Sequence, residues 1–123
     1  MGHVFEPMSG EILNAAVEVH RALGPGFQEA VYESALCIEL ELRGVPFRRQ
    51  QEILVHYKAR EVGRHRLDLI VAGEIVVEIK AATELNDVHL AQALSYLKSS
   101  KIPVGLLLNF GKATLESRRV ILG

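Results

Sequence analysis

Arg66-Leu67-Asp68-Leu69-Ile70-Val71 and, after Ala72-Gly73, Val76-Val77-Glu78-Ile79-Lys80 decide how this chain folds. They read as two strands, over about 62–71 and 74–80, joined at Ala72-Gly73. Strand side chains alternate, so Glu78 and Lys80 point one way and Ile79 the other. A turn centred on Gly73 sets Asp68 directly across from Glu78, with Cβ atoms ~4.5–5.5 Å apart. A bulge in the turn would shift this by one residue. Like charges facing each other on neighbouring strands are destabilising. These two interrupt otherwise apolar segments, so something must compensate them. One arrangement is a buried ion pair with Lys80. The other is a divalent cation, and oxygen ligands without a nearby cysteine suit Mg²⁺ or Mn²⁺ better than zinc. A lysine beside such an ion can orient a water, help deprotonate it, or stabilise charge on a phosphate.

Upstream, Ile12, Ala15, Ala16, Val19 and Leu23 recur at helical spacing behind Ser9 as a cap, and Gly24-Pro25-Gly26 stops that helix. A second helix spans about 27–42, with Phe27, Val31, Ala35, Ile38 and Leu42 as its expected core face and Gly44 at its end. Glu29 and Glu33 lie one turn apart on a neighbouring face. After Pro46 the period becomes alternating, with Ile53, Val55 and Tyr57 on one side of a first strand and a turn at Ala59-Arg60. Downstream, a helix over about 86–99 carries Leu90, Ala93, Leu94 and Leu97 as its apolar face. Residues 104–109 read as a strand buried on both faces. Residues 115–122 are ambiguous, and a final strand is assigned there. The expected fold is α/β in a single domain over 1–123: two N-terminal helices, an antiparallel β-meander, a helical crossover and a further strand in a mixed central sheet.

With 123 residues, 49% of them hydrophobic and 24% charged, the chain can bury one core, so any active site sits on the core fold itself. The longest apolar stretch, 102–108, is interrupted by Pro103 and Gly105 and falls far below the ~17–20 residues of a membrane span. No membrane association is expected. No basic region followed by an apolar run opens the chain, and Cys37 is the only cysteine, so a cytoplasmic protein without a disulfide is expected. The net charge of −1 hides an asymmetry: residues 1–42 carry −6 and residues 43–123 carry +5. The densest basic run, 43–66, reads either as a solvated face or as a polyanion-binding strip.

Asp68 and Glu78-Ile79-Lys80 on a hairpin, preceded by a helix and followed by a helix and a strand, resemble the PD-(D/E)XK nuclease superfamily and its restriction-endonuclease-like core. The finer match is to the small GxxExxY proteins, whose naming motif stands here as Gly26-Phe27-Gln28-Glu29-Ala30-Val31-Tyr32. His20, Arg43-Gly44, Gln51 before the first strand, Tyr57-Lys58, Ala81, His89, Gln92, Tyr96 and the run from Gly105 to Gly111 also match, so the resemblance covers about 12–120. Leu67 stands where the superfamily name has proline. The resemblance implies a Mg²⁺- or Mn²⁺-dependent nuclease, acting on DNA in preference to RNA. By that analogy Asp68, Glu78 and Glu29 hold the metal with the backbone carbonyl of Ile79, Lys80 assists the attacking water, and His20 is a further ligand or base.

The supporting residues each have a plainer role beside the functional one. Glu29 also suits a helix N-terminus, where negative charge is stabilised. Tyr32 shares the face of Glu29, either packing beneath the site or touching substrate. His89, Gln92 and Tyr96 form one polar-aromatic stripe that resembles a helix motif of exonuclease branches of the superfamily. Lys58, Arg64, Arg66 and Lys112 are candidate phosphate contacts or edge-protecting charges. A second copy or a protein partner is expected to complete the nucleic-acid surface. The competing expectations are a non-catalytic nucleic-acid-binding or assembly module on the same fold, and an enzyme acting on a small phosphate ester.

Overall fold

In a computed structural model that describes residues 7–123, Pro7 opens helix α1 (Pro7–Leu23). Its locked φ and missing N–H cost nothing at that position. Ser9 is therefore inside the helix and buried, not its cap. Residues 1–6, where a secretory signal was sought, lie outside the described residues. The order continues α2 (Glu29–Leu42), β1 (Phe47–Tyr57), β2 (Arg60–Val71), β3 (Ile75–Lys80), α3 (Asp87–Ser100), β4 (Val104–Asn109) and β5 (Glu116–Ile121). Among the described residues this is three helices and one five-stranded mixed sheet, with strands side by side in chain order. All neighbours are antiparallel except β3 and β4, and α3 makes the crossover that a parallel pair requires. The first strand begins at Phe47, earlier than alternation alone suggested, so Gln51 lies within it.

Helices α1 and α2 cover one face of the sheet, where Ile12, Ala16, Tyr32, Leu36 and Leu40 meet Leu69, Val77, Leu106 and Leu108. Helix α3 covers the other, where Ala93 and Leu97 meet Leu67, Ile70, Val76 and Leu107. The expected core face of α2 is corrected. Phe27, Val31, Ile38 and Leu42 are exposed, and the buried stripe is Tyr32, Glu33, Leu36, Cys37 and Leu40. Both stripes repeat every three to four residues, about 100° apart around the helix, so periodicity cannot choose between them. The buried one is anchored by Tyr32, whose hydroxyl donates to the Gly24 carbonyl (2.6 Å) and accepts from the Phe27 N–H (3.1 Å) while its ring stacks on Phe110. The Gly-to-Tyr motif thereby ties the α1–α2 loop to the core.

Strands β1 and β2 exchange faces midway. Leu69 packs under α1 and α2, yet Leu67, two residues away, packs under α3. In β1, Phe47 and Ile53 divide in the same way. The change falls at Gln50, whose φ of 49° takes it out of the ladder between the pairs Arg49–Leu69 and Gln51–Leu67. The register is the same on both sides of Gln50, and β2 continues its pairing with β1 beyond the end of its ladder with β3. The β2–β3 pairing runs from Val71–Ile75 to Leu69–Val77 and stops just before Asp68.

Two tight turns position the meander. Ala72 and Gly73 both have left-handed φ (55° and 68°), and the Glu74 N–H donates to the Val71 carbonyl, so the β2–β3 turn is centred where the sequence placed it. The β1–β2 turn is at Lys58-Ala59, one residue earlier than expected, with φ of 48° and 65°. Such turns favour Asn-Gly, because left-handed φ strains a residue with a Cβ. The double substitution Lys58→Asn, Ala59→Gly is expected to stabilise the protein by about 1 kcal/mol, net of the entropy glycine adds to the unfolded chain. Denaturant unfolding checks this; an unchanged midpoint contradicts it.

Candidate active site

Where β2 and β3 part, side chains take over from the ladder. Glu78 Oε2 accepts the Asp68 N–H at 3.0 Å, and Asp68 Oδ2 accepts the Ile79 N–H at 2.8 Å. Each acid thus caps the other's strand with one oxygen, and among the described residues Asp68 Oδ1 and Glu78 Oε1 have no hydrogen-bond partner. Neither free oxygen is a sealed, unsatisfied atom, so both are open to solvent. Glu78 is only 5% exposed. Burial, then the charge of Asp68, pushes its pKa up to about 8 against the relief offered by the Asp68 N–H and Lys80. Burial also raises Asp68, offset by the Ile79 N–H and reinforced by Glu33 and Glu29.

Lys80 neutralises neither acid by contact. Among the described residues it forms no ion pair, and its Nζ donates to Gln92 Oε1 on α3 at 2.9 Å. The buried ion pair that the sequence left open is therefore not formed. Tyr96, one turn beyond Gln92, stands in the field of the same acids: burial, then Glu78 and Asp68, raise its pKa. Its ring meets His65 of β2 edge-on at 4.6 Å. Gln92 and Tyr96 thus flank the acids from α3, while His89 caps that helix. Its backbone N–H donates to Asn86 Oδ1, and its Nδ1 accepts the Asn86 N–H.

From α2 the acid closest in role is one that sequence reasoning passed over. Glu33 is buried, and its charge acts on both Asp68 and Glu78. Arg49 Nε donates to it at 3.1 Å, and Gln50 Nε2 reaches both its oxygens at 2.9 and 3.1 Å. Gln50, with its left-handed backbone, thus anchors the helix acid. The signal was a single charge inside the apolar stripe Tyr32–Leu36–Leu40. Glu29 is exposed on the first turn of α2 and reaches Asp68 through its field.

Other candidates lie elsewhere. His20 is buried at the end of α1, its Nε2 donating to the Lys112 carbonyl at 2.9 Å and its ring against Phe110. Lys58 sits at the hairpin tip over Tyr57. Arg64 is held by Glu61 and Glu52. Arg66 is exposed on β2 two residues before Asp68. The Asn109-Phe110-Gly111 motif buttresses the exit of β3. The fully buried Asn109 accepts from the Ala82 and Gly111 N–H groups and donates to the Ala82 carbonyl and Glu116.

Among the described residues, no three or more His, Cys, Asp or Glu side chains are gathered to hold a metal by themselves. The donor set nevertheless suits a hard divalent cation. Mg²⁺ commonly uses one or two carboxylates and keeps several waters. Two acids with open oxygens and no paired cation offer that arrangement.

A sequence model described as the PD-(D/E)XK nuclease superfamily matches residues 6–120. Among solved structures, the crystal structure of SSO0001 aligns with a TM-score of 0.51 and 16% identity, over 95% of this chain and 78% of that one. This is a likeness of fold. A search of curated proteins found no match.

Proposed function

The chain belongs to the PD-(D/E)XK nuclease superfamily, and on that premise we propose a Mg²⁺- or Mn²⁺-dependent phosphodiesterase acting on nucleic acid, DNA ahead of RNA. Membership itself implies metal-dependent nuclease activity and a nucleic-acid substrate. The observation that carries the reading is the exchange of carboxylate caps between Asp68 and Glu78 beside an unpaired Lys80. Asp68 and Glu78 would hold the cation with the Ile79 carbonyl, and Glu29 and Glu33 would add negative field from α2. When bound, the cation supplies Lewis-acid polarisation of the scissile phosphate. Lys80, steadied by Gln92, orients the attacking water and receives charge developing on the phosphate. Tyr96 supports the site from beside the acids, and Tyr32 supports it by tying the α1–α2 loop to the core. The motif Gly26 to Tyr32 further supports a place among the GxxExxY proteins.

Purified protein incubated with plasmid and single-stranded DNA in Mg²⁺, Mn²⁺ or chelator tests this. Cleavage is expected only with metal and is expected to disappear in Lys80→Ala. Salt-sensitive binding without cleavage under either metal supports the non-catalytic module instead. Cleavage that survives Lys80→Ala removes Lys80 from the proposed chemistry or reveals a contaminant, and Glu78→Gln separates those two results.

A further inference from the structure

Beside Tyr96 a second feature opens. A groove of about 580 Å³ runs between the β1–β2 hairpin and α3, with His56, His65, Ser95, Lys98, Ser99 and Lys101 on its walls and no carboxylate among its lining residues. Its volume is that of sites that enclose a small molecule. Lys98 and Lys101 are exposed and form no ion pair among the described residues. Arg64, one of the hairpin's arginines, differs, since it is committed to Glu52 and Glu61. His65 joins the groove to the acid cluster. It touches Tyr96 on one side and bonds Ser99 Oγ at 2.8 Å on the other. Along α3 the sequence from Gln92 to Lys101 covers about 13 Å at 1.5 Å per residue. That span is long enough for a strand to place more than one phosphate along it.

We propose that this groove is the track for a nucleic-acid strand, with Lys98 and Lys101 on phosphates farther along the strand from the one held at Asp68, Glu78 and Lys80. The inference rests on the nuclease reading for the polarity of the track, but its chemistry is its own: ammonium groups without an ion pair among the described residues, neutral hydroxyls and imidazoles beside Leu54 and Val55, and His65 in contact with Tyr96. An acid-lined centre repels a polyanion when no metal is present, so attraction must come from neighbouring cations. The groove provides them, and Lys58 at the hairpin tip and the paired Arg64 do not.

The test is binding by the full chain in chelator, where no cleavage occurs, read by anisotropy of labelled single-stranded DNA, duplex DNA and RNA across a salt series. Lys98→Ala with Lys101→Ala is expected to weaken binding about tenfold or more. The salt slope should fall by ~0.7 per lost contact on single strands or ~0.9 on duplex. Lys98→Glu with Lys101→Glu should weaken it further, and Lys58→Ala with Arg64→Ala should leave it unchanged. The preferred probe identifies the strand. Wild-type binding that both lysine pairs leave intact overturns the track while sparing the nuclease reading. Groove-dependent binding without metal-dependent cleavage supports the track and overturns that reading. No binding to any probe overturns the track, and cleavage with Mg²⁺ or Mn²⁺ then decides the nuclease reading by itself. All four positions are exposed, and unchanged melting temperatures confirm that the variants fold.

Discussion

Replacing Glu78 with Gln is expected to abolish the proposed cleavage while making the metal-free protein more stable at pH 8. In the folded protein the Glu78 carboxyl keeps its proton up to about pH 8. In the unfolded chain it ionises near ~4.3. Between those values the folded state binds the extra proton, so stability falls as pH rises and levels off above about 8. Each pH unit in that window is worth at most ~1.4 kcal/mol, so the loss between pH 5 and pH 8 is on the order of a few kcal/mol. Asp68, raised in the same direction, steepens the lower part of the curve. Glutamine has no proton to lose and still offers an oxygen to the Asp68 N–H. The variant should therefore show a flatter profile in chelator and exceed wild type at pH 8. Adding Mg²⁺ or Mn²⁺ should reverse the ranking. A ligand that binds only the folded state stabilises it, and wild type has the second carboxylate to bind with. Activity should fall by more than about a hundredfold, since even residues behind the ligands cost 10–100-fold. Urea unfolding from pH 5 to 8.5, with chelator and with metal, decides it. Parallel wild-type and variant curves in chelator would mean that Glu78 is already ionised and balanced by something else.

What made this centre readable in advance was local. Gly73 fixed the turn and alternation carried the register out to Leu69–Val77; the ladder ends there, and Asp68 and Glu78, expected directly across from each other, are joined instead by their reciprocal caps. The neighbourhood of Gln92 and Lys80 was likewise prepared by the polar stripe His89–Gln92–Tyr96. The parts that escaped depend on choices between equivalent patterns or on distant contacts. Two apolar stripes on α2 satisfy the same period. The one with Phe27 and Leu42 lost because Tyr32 has polar partners in the loop it covers, and with that choice Glu33 moved into the site. The left-handed φ of Gln50 has no sequence signature, because nothing in Gln-Gln marks a break in a strand. The resemblance alone offered His20 as a further ligand or base, and its partner is a carbonyl 92 residues away. The exposed stripe that remains, Phe27, Val31, Ile38 and Leu42, has no assigned cover.

Gly111→Ala is expected to cost more stability than a methyl added at Gly63 or Gly105. A Cβ built on Gly111 would stand 2.4 Å from the Ala82 carbonyl oxygen, 2.6 Å from its nitrogen and 2.8 Å from the Ala81 carbonyl carbon. All three are backbone atoms, so no side chain can swing aside. The same segment is pinned by Asn109, which bonds the Ala82 N–H and carbonyl and the Gly111 N–H. Relieving the overlap means pulling that loop off a buried amide. Overpacking costs typically ~1–3 kcal/mol, and each weakened hydrogen bond adds about 1. A loss of about 3 kcal/mol or more follows, against a total stability of ~5–15, with a fall in Tm on the order of 10 °C. Gly63→Ala is the control: a Cβ there meets nothing within 4 Å, and its effect should stay within about 0.5 kcal/mol. Because Ala81 and Ala82 directly follow Lys80, a displaced loop also shifts the lysine. Wherever Gly111→Ala remains folded, its cleavage should fall while Gly63→Ala keeps full activity. Equal melting temperatures for the two variants would mean that the loop after β3 yields freely and does not hold the lysine in place.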